Sequence, residues 1–317
     1  MTEVHHFSYG LVTPVAAYLM SFIGSLLGLM CTARARASTG RSRASWLGLA
    51  ALAIGGTGIW VMHFIAMLGF SVPHAEIRYD VPLTLLSCLI AIAVVAVGLF
   101  IVGFAGSGTP VIVIGGVITG VGVASMHYMG MAAMNMAADM SYQSGLVVLS
   151  VAIAVVAATA ALWFALTVRG MWATAGAALI MGVAVTGMHY TGMAAMRVHL
   201  HAHDMAPTGA KAVDFILPLV GGVGAVATIL LIIIAMAPNE DELRVEAALQ
   251  ERLEARRNEP RPSAPHPMAP SDSRPHAGEW FGGGHPGGGH PGGGHPGGGH
   301  PGGGPAGSGP AGGGPTP

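Results

Sequence analysis

The sequence predicts an all-α integral membrane protein with seven transmembrane helices, built from three pseudo-repeated helix pairs and a last helix. Three observations lead to this prediction. Only 9% of the 317 residues are charged and 52% are hydrophobic, whereas a typical soluble domain carries about 25% charged residues. Seven apolar runs reach the length of about 20 residues that a helix needs to cross a bilayer. One histidine motif recurs in every second run.

The predicted spans follow one another along the first three quarters of the chain and are separated by short polar segments. No Lys, Arg, Asp or Glu occurs inside them. Gly24 and Gly28 in the first span have the small-xxx-small spacing that lets helices pack closely in lipid. The spans are predicted at residues 11–31, 46–70, 82–104, 111–136, 145–168, 171–196 and 215–237.

Two segments follow the membrane domain, which is predicted to cover residues 8–237. Residues 238–258 carry acidic residues first and arginines last, an order that suits the helix dipole and predicts a short cytoplasmic helix. Residues 259–317 are rich in Gly, Pro and His and cannot bury a core, so we expect them to be disordered. The pentapeptide GGGHP recurs in this tail and presents four histidines as a weak alternative metal site: His285, His290, His295 and His300.

The arginines predict how the chain is oriented in the cell membrane. Short connections rich in Lys and Arg stay in the cytoplasm. The N-terminus is therefore predicted outside and the C-terminus in the cytoplasm, with membrane lipid around the spans. Asp80, Asp139 and Asp214 each precede an odd-numbered span and are predicted to cap its first turn. The arginines that decide the orientation lie between spans one and two: Arg34, Arg36, Arg41 and Arg43.

Composition and motifs also exclude several classes of protein. A net charge of −1 gives no basic surface for a nucleic acid partner. Cys31 and Cys88 are isolated in apolar runs, so no disulfide framework is predicted. No cleavable signal peptide is evident. The sequence contains no nucleophile elbow, phosphate-binding loop, paired carboxylates or HExxH motif, and we therefore do not expect an enzyme.

The repeated motif lies near the end of spans two, four and six. Its three copies read WVMHFIAMLGF, ASMHYMGMAAM and TGMHYTGMAAM. Their histidines, His63, His127 and His189, are separated by 64 and 62 residues. Repetition at this spacing predicts three similar helix pairs. Since all three copies are on even-numbered spans, they lie on one side of the membrane, which the charge rule predicts to be the outer side.

Helix geometry places small residues and methionines on the same face as each histidine. A residue four positions on is rotated by about 40° and one seven positions on by about 20°. Each histidine therefore shares its face with the methionine four positions later: Met67, Met131 and Met193. Small residues stand seven positions before and three after each histidine, and they are predicted to let the helices approach and bring the imidazoles together: Gly56, Gly120, Gly182, Ala66, Gly130 and Gly192.

Imidazole and thioether together favour copper, particularly Cu(I), because thioether is a soft ligand. Heme iron also accepts His and Met as axial ligands, which makes heme the alternative cofactor. Methionine at helical spacing also suits plain packing, and a single histidine can be satisfied by a carbonyl. Three ionisable residues in equivalent membrane positions nevertheless favour a functional site.

Other residues are secondary candidates for the site. Tyr128 and Tyr190 are predicted as anchors at the membrane interface, with a hydrogen bond to a ligand as the second interpretation. The methionines directly before the histidines lie about 100° from the shared face: Met62, Met126 and Met188. Histidines in the predicted outer segments could recruit metal: His5, His6, His199, His201 and His203.

At the motif the chain resembles the MHYT family of bacterial integral membrane sensor domains. The four letters are complete at Met188 to Thr191, whereas the second copy departs at Met129 and the first at Phe64 and Ile65. The resemblance covers residues 8–237. It implies motifs at the outer membrane face that bind copper and sense dioxygen, carbon monoxide or nitric oxide. It also implies a link to diguanylate cyclase or phosphodiesterase domains, which many relatives carry after the last span.

The function predicted from these features is a membrane sensor that binds copper and responds to a diatomic gas or to redox state. A separate cytoplasmic signalling protein is the expected output partner. The alternatives are a copper permease or a heme-binding electron carrier. A permease needs soft or polar groups along the whole path, and the inner halves of spans two, four and six offer few, which favours sensing.

Overall fold

The computed structural model describes residues 8–73, 75–200, 207–236 and 240–258. Within these residues, seven helices are long and apolar enough to cross a membrane, which confirms the predicted all-α membrane architecture. A further helix, Glu240–Asn258, follows in the chain. The spans, numbered one to seven in chain order, are Val12–Ala37, Gly40–Leu68, Val81–Phe104, Thr109–Ala132, Ser144–Thr167, Met171–Ala194 and Ala212–Met236.

Spans one to six form a closed ring. Each span contacts the next in chain order, and span six returns to contact span one. Close approach is possible where glycines meet a neighbouring backbone, as at Gly24 against Gly58 and at Gly120 against Val155. The second halves of the even-numbered spans also contact one another inside the ring. The ring therefore brings the three motif-bearing helix ends to a common axis, which we call the motif end of the bundle.

Span two departs from a uniform α-helix. It runs as an α-helix over Gly40–Ala51, as a π-helix over Leu52–Val61, and again as an α-helix over Met62–Leu68. The wider turn changes which residues face the neighbours. Gly56 was predicted to let span two approach a neighbouring helix, and this prediction was wrong for this reason. Instead, Gly55 lies against the backbone of Ala91, and Gly58 lies against Gly24.

Span one continues past its predicted end and takes two arginines into the helix. Arg36 donates to the carbonyl oxygens of Ala165 and Val168, the latter at 2.8 Å. Arg34 donates to the carbonyl oxygen of Ile234 at 2.5 Å. The last carbonyls of a helix have no partner within it, and a basic side chain can satisfy them. These arginines thereby connect span one with the ends of spans five and seven, and we call this side the arginine end.

Short strands cover the motif end. The strands are Arg78–Tyr79 (β1), Met134–Asn135 (β2), Ala138–Tyr142 (β3), Met196–Leu200 (β4) and Ala210–Lys211 (β5). β1 lies between β2 and β5, and β3 pairs with β4, all antiparallel. Spans four and six therefore end before Met134 and Met196, earlier than predicted.

The three aspartates predicted as caps have different positions. Asp80 caps span three, since its carboxylate accepts from the backbone N–H of Leu83 at 2.8 Å. Asp139 does not cap span five, because it lies in β3 and pairs with His199 across the sheet. Asp214 lies inside the first turn of span seven instead of before it. Only the first of the three predictions is confirmed.

Candidate metal centre

Three histidine side chains meet on the axis of the bundle at its motif end. His63, His127 and His189 come from spans two, four and six, and each is at most 1% exposed. The Nδ1 atom of His63 lies 2.9 Å from Nδ1 of His189 and 3.1 Å from Nδ1 of His127. The three candidate ligand residues that the motif predicts thus form one buried triad.

The imidazole rings of the triad are arranged with approximate threefold symmetry. Their centroids are 4.9, 4.9 and 5.0 Å apart, and the planes of the three pairs of rings cross at 77°, 82° and 86°. The short Nδ1–Nδ1 distances show that the rings meet through their Nδ1 edges. In the tautomer with its proton on Nε2, each imidazole directs the lone pair of Nδ1 toward the axis.

Hydrogen bonding alone does not satisfy this cluster. Nδ1 of a neutral imidazole carries either one proton or one lone pair. His63 Nδ1 nevertheless faces two other Nδ1 atoms at hydrogen-bonding distance, and it cannot form a full bond to both. A cation among the three nitrogens would accept all three lone pairs at once. The triad can therefore hold a metal ion.

The separations also fit a small metal ion. Imidazole nitrogens lie about 2.0–2.1 Å from a bound zinc ion, so two of them on a tetrahedral centre are about 3.3 Å apart. The observed separations of 2.9 and 3.1 Å need only a small opening of the triad to reach this value.

Two glycines provide the space that the outer edges of the rings occupy. The ring of His63 lies against Gly130, and the ring of His127 lies against Gly192, in both cases with Nε2 closest. A side chain at either glycine would overlap the ring. The sequence predicted that these glycines bring helices together, but in the structure each accommodates the imidazole of the preceding repeat.

The aromatic residue after each histidine packs edge-on against it. The centroid distances are 4.9 Å for Phe64, 5.0 Å for Tyr128 and 5.0 Å for Tyr190. The Tyr128 hydroxyl lies 2.7 Å from Oγ of Ser150. Because that serine donates its proton to the carbonyl of Val147, Tyr128 must be the donor. Tyr128 therefore joins spans four and five through a side-chain hydrogen bond.

The first repeat makes the equivalent connection with a different residue. Phe64 has no hydroxyl, and the indole Nε1 of Trp60 donates instead to Oγ of Ser87 at 3.0 Å. Ser87 and Ser150 are both the seventh residue of their helices. Sequence reasoning missed both serines and Trp60. The signal that could have revealed the two serines is their matched position as the seventh residue of spans three and five.

All six candidate methionines are buried on the helices that carry the triad. Met62 differs from the others, because it packs with Ala17 and Ala66 in a small cluster of its own. The remaining five belong to the main core. Each of the six is at most 2% exposed: Met62, Met67, Met126, Met131, Met188 and Met193.

Most of the secondary histidines cannot be placed. His199 lies in β4 and pairs through its backbone with Asp139. His5, His6, His201 and His203 lie outside the described residues, as do the four histidines of the GGGHP repeats. Two tyrosines stand in the covering strands, the buried Tyr79 and the half-buried Tyr142. Burial raises the pKa of both, and the charge of the neighbouring Tyr128 also raises the pKa of Tyr142.

Comparison with known proteins identifies the repeat. The MHYT profile, described as a bacterial signalling protein N-terminal repeat, matches residues 56–115, 120–178 and 182–243. No solved structure matches the chain.

Three curated proteins are similar to parts of the chain. A bifunctional diguanylate cyclase/cyclic di-GMP phosphodiesterase, MucR, of Pseudomonas aeruginosa is 37% identical over 61% of this chain and 29% of its own length. The cyclic di-GMP phosphodiesterase NbdA of the same species is 44% identical over 37% of this chain and 14% of its own. An uncharacterized signaling protein of Caulobacter vibrioides is 41% identical over 43% of this chain and 16% of its own.

The chain thus matches less than a third of the length of these relatives. The matched region is the sensor and not a catalytic domain. The profile covers more than half of the chain in three consecutive repeats, each of which contains one histidine of the triad. The chain therefore belongs to the MHYT family and is a multi-pass membrane sensor domain of the kind found in bacterial signalling proteins.

Proposed function

We propose that this sensor domain binds copper at the histidine triad and responds to a diatomic gas or to redox state. The observation that carries the proposal is the meeting of three buried Nδ1 atoms on the bundle axis. Bound copper would supply a centre that changes oxidation state or takes up dioxygen, carbon monoxide or nitric oxide. The protein would hold the imidazoles in place and exclude water from them.

The preference for copper rests on the methionines. Imidazole alone suits zinc, iron and nickel as well as copper, whereas thioether favours Cu(I). Each histidine has a buried methionine directly before it and another four residues after it on its own helix. The first choice for thioether ligands is the group on the histidine face: Met67, Met131 and Met193.

The proposed orientation places the triad near the outer face and the arginine end in the cytoplasm. The arginine connection between spans one and two supports this orientation through the positive-inside rule. The helix Glu240–Asn258 then lies in the cytoplasm, shortly after span seven. We propose that a cytoplasmic signalling protein reads the state of the sensor there, since the named relatives combine their matched regions with cyclic di-GMP enzymes.

Copper analysis of the purified protein tests the ligands. The protein is loaded with Cu(I) without oxygen, separated from free metal, and analysed for bound copper. His127→Ala should lose most of the copper, while His199→Ala, the same change in strand β4, should retain it. Equal loss in the two variants would show that the loss of copper is not specific to the triad, and it would contradict the assignment. Full occupancy after His63, His127 and His189 are all replaced would exclude the triad.

Four further measurements separate the remaining alternatives. An intense Soret band in the protein as isolated would favour heme over copper. Preference for zinc when zinc and Cu(I) compete would refute the assignment of copper. Truncation after Arg257 should leave the copper content unchanged, and loss of copper would assign binding to the GGGHP repeats. Saturable copper uptake into vesicles that requires His127 would favour the permease.

A further inference from the structure

An apolar cavity of about 50 Å³ lies inside the ring of helices and is lined by residues near the triad in sequence. Spans two to six all contribute to its wall. The position of the cavity follows from the repeat. The three residues four positions before the motif histidines, Ile59, Val123 and Val185, all line it. Four residues correspond to about one helical turn, so the cavity begins one turn from the triad, on the side toward the arginine end.

The lining of the cavity offers almost nothing to a water molecule. Its residues are aliphatic or methionine except for Thr119. The hydroxyl of Thr119 donates to the carbonyl oxygen of Val94 at 3.3 Å, so its proton is already used. A buried water needs two to four polar partners, and apolar cavities without them stay dry and bind xenon or small apolar molecules. The lack of polar partners, and not the size of the cavity, therefore keeps water out.

The cavity also approaches the lipid-facing surface. Ala157, Ala161 and Val185, which line it on spans five and six, are half-buried. Diatomic gases are small and apolar and dissolve readily in hydrocarbon. A molecule of this kind can enter from the lipid between these two spans without crossing the polar strands that cover the motif end.

We propose that this cavity holds the diatomic gas one helical turn from the triad, and that the gas enters it from the membrane. This inference rests on the proposed function of the triad as a copper centre for gas sensing. The proposed function names only the metal site. This inference adds the place where the gas collects before it reaches the metal, and the residues that form this place are not metal ligands.

Xenon binding to the metal-free protein tests the cavity independently of copper. Ala158 lines the wall on span five, whereas Ala152 is exposed on the same helix. The native protein and Ala152→Leu should both shift the resonance of dissolved ¹²⁹Xe in a saturable manner. Ala158→Leu, which adds three carbons inside the cavity, should lose this shift. Absence of saturable xenon binding by the native protein would overturn the proposal, whether or not the protein binds copper.

Carbon monoxide then tests whether the cavity serves the triad. In the copper-loaded native protein, xenon under pressure should slow the association of carbon monoxide, and this experiment needs no variant. Ala158→Leu should associate with carbon monoxide several-fold more slowly than Ala152→Leu at equal copper content. Unchanged rates in both comparisons would show that the gas does not pass through the cavity. Failure of the copper centre itself would appear separately, as low copper content in the native protein.

Discussion

Replacement of Gly192 by alanine should disturb the triad without touching a ligand. The new Cβ would lie 2.8 Å from Cδ2 and 3.2 Å from Cε1 of His127, whereas nonbonded carbons prefer about 3.5–4.0 Å. The ring must therefore retreat by about 0.7 Å or more to restore a normal contact. Metal–ligand distances tolerate only about 0.2 Å. The movement is several times this tolerance, so His127 Nδ1 should no longer meet the other two nitrogens correctly.

Two effects on stability oppose each other in this variant. Overpacking a close-packed interior costs about 1–3 kcal/mol, and replacing glycine by alanine in a helix returns about 1 kcal/mol. The net destabilisation should thus be about 0–2 kcal/mol, which leaves the protein folded. Metal affinity should fall by about 10–100-fold, the usual effect of changes that misorient a ligand.

Gly187 supplies the matched control, because it lies on the same helix and has open space beside it. Gly187→Ala should keep the copper affinity and gain slightly in thermal stability. The assay is competition for Cu(I) against a chelator of known affinity, together with thermal unfolding in detergent. Equal copper affinity for Gly187→Ala and Gly192→Ala would show that the ring of His127 does not depend on Gly192, and it would refute the geometry described above.

Three further outcomes are expected. Tyr128→Phe should lower the free energy of unfolding by about 1 kcal/mol, because it removes a hydrogen bond to Ser150. The copper content should not change. An unchanged melting temperature would contradict the hydrogen bond described above. Burial raises the pKa of Tyr79 above its unfolded value of about 10. The stability that this shift contributes should therefore be complete below pH 10 and fall as the pH rises further. In Tyr79→Phe the loss of stability at alkaline pH should be smaller, and an identical pH profile would argue against burial of the phenol. Reporter fusions at Arg41 should read cytoplasmic and fusions at Asp139 external, and the reverse pattern would place the triad at the inner face.

The number of spans and the meeting of the histidines could be predicted, because both follow from features that repeat along the chain. Apolar length sets the spans, and the spacing of 64 and 62 residues brings each histidine to the same depth on alternate helices. The symmetry of a ring then directs equivalent residues to a common axis.

The π-helix and the covering strands could not be predicted, for different reasons. The π-helical turn of span two depends on how Gly55 and Gly58 pack against spans three and one, and no local spacing encodes this contact. Three of the five strands are two residues long, which is too short for alternation to be visible. The role of Gly130 was misassigned because a helix-helix contact and a place for an imidazole ring need the same small residue.

The contact between each ring and the next repeat has a consequence for biosynthesis. His63 rests against Gly130 of the following repeat, and His127 rests against Gly192 of the repeat after that. A nascent chain that has inserted only its first four spans has two histidines, and the second of them lacks its neighbour. The triad becomes complete only when span six enters the membrane. Partly synthesised chains therefore have no three-nitrogen site, and the centre is assembled in a single late step.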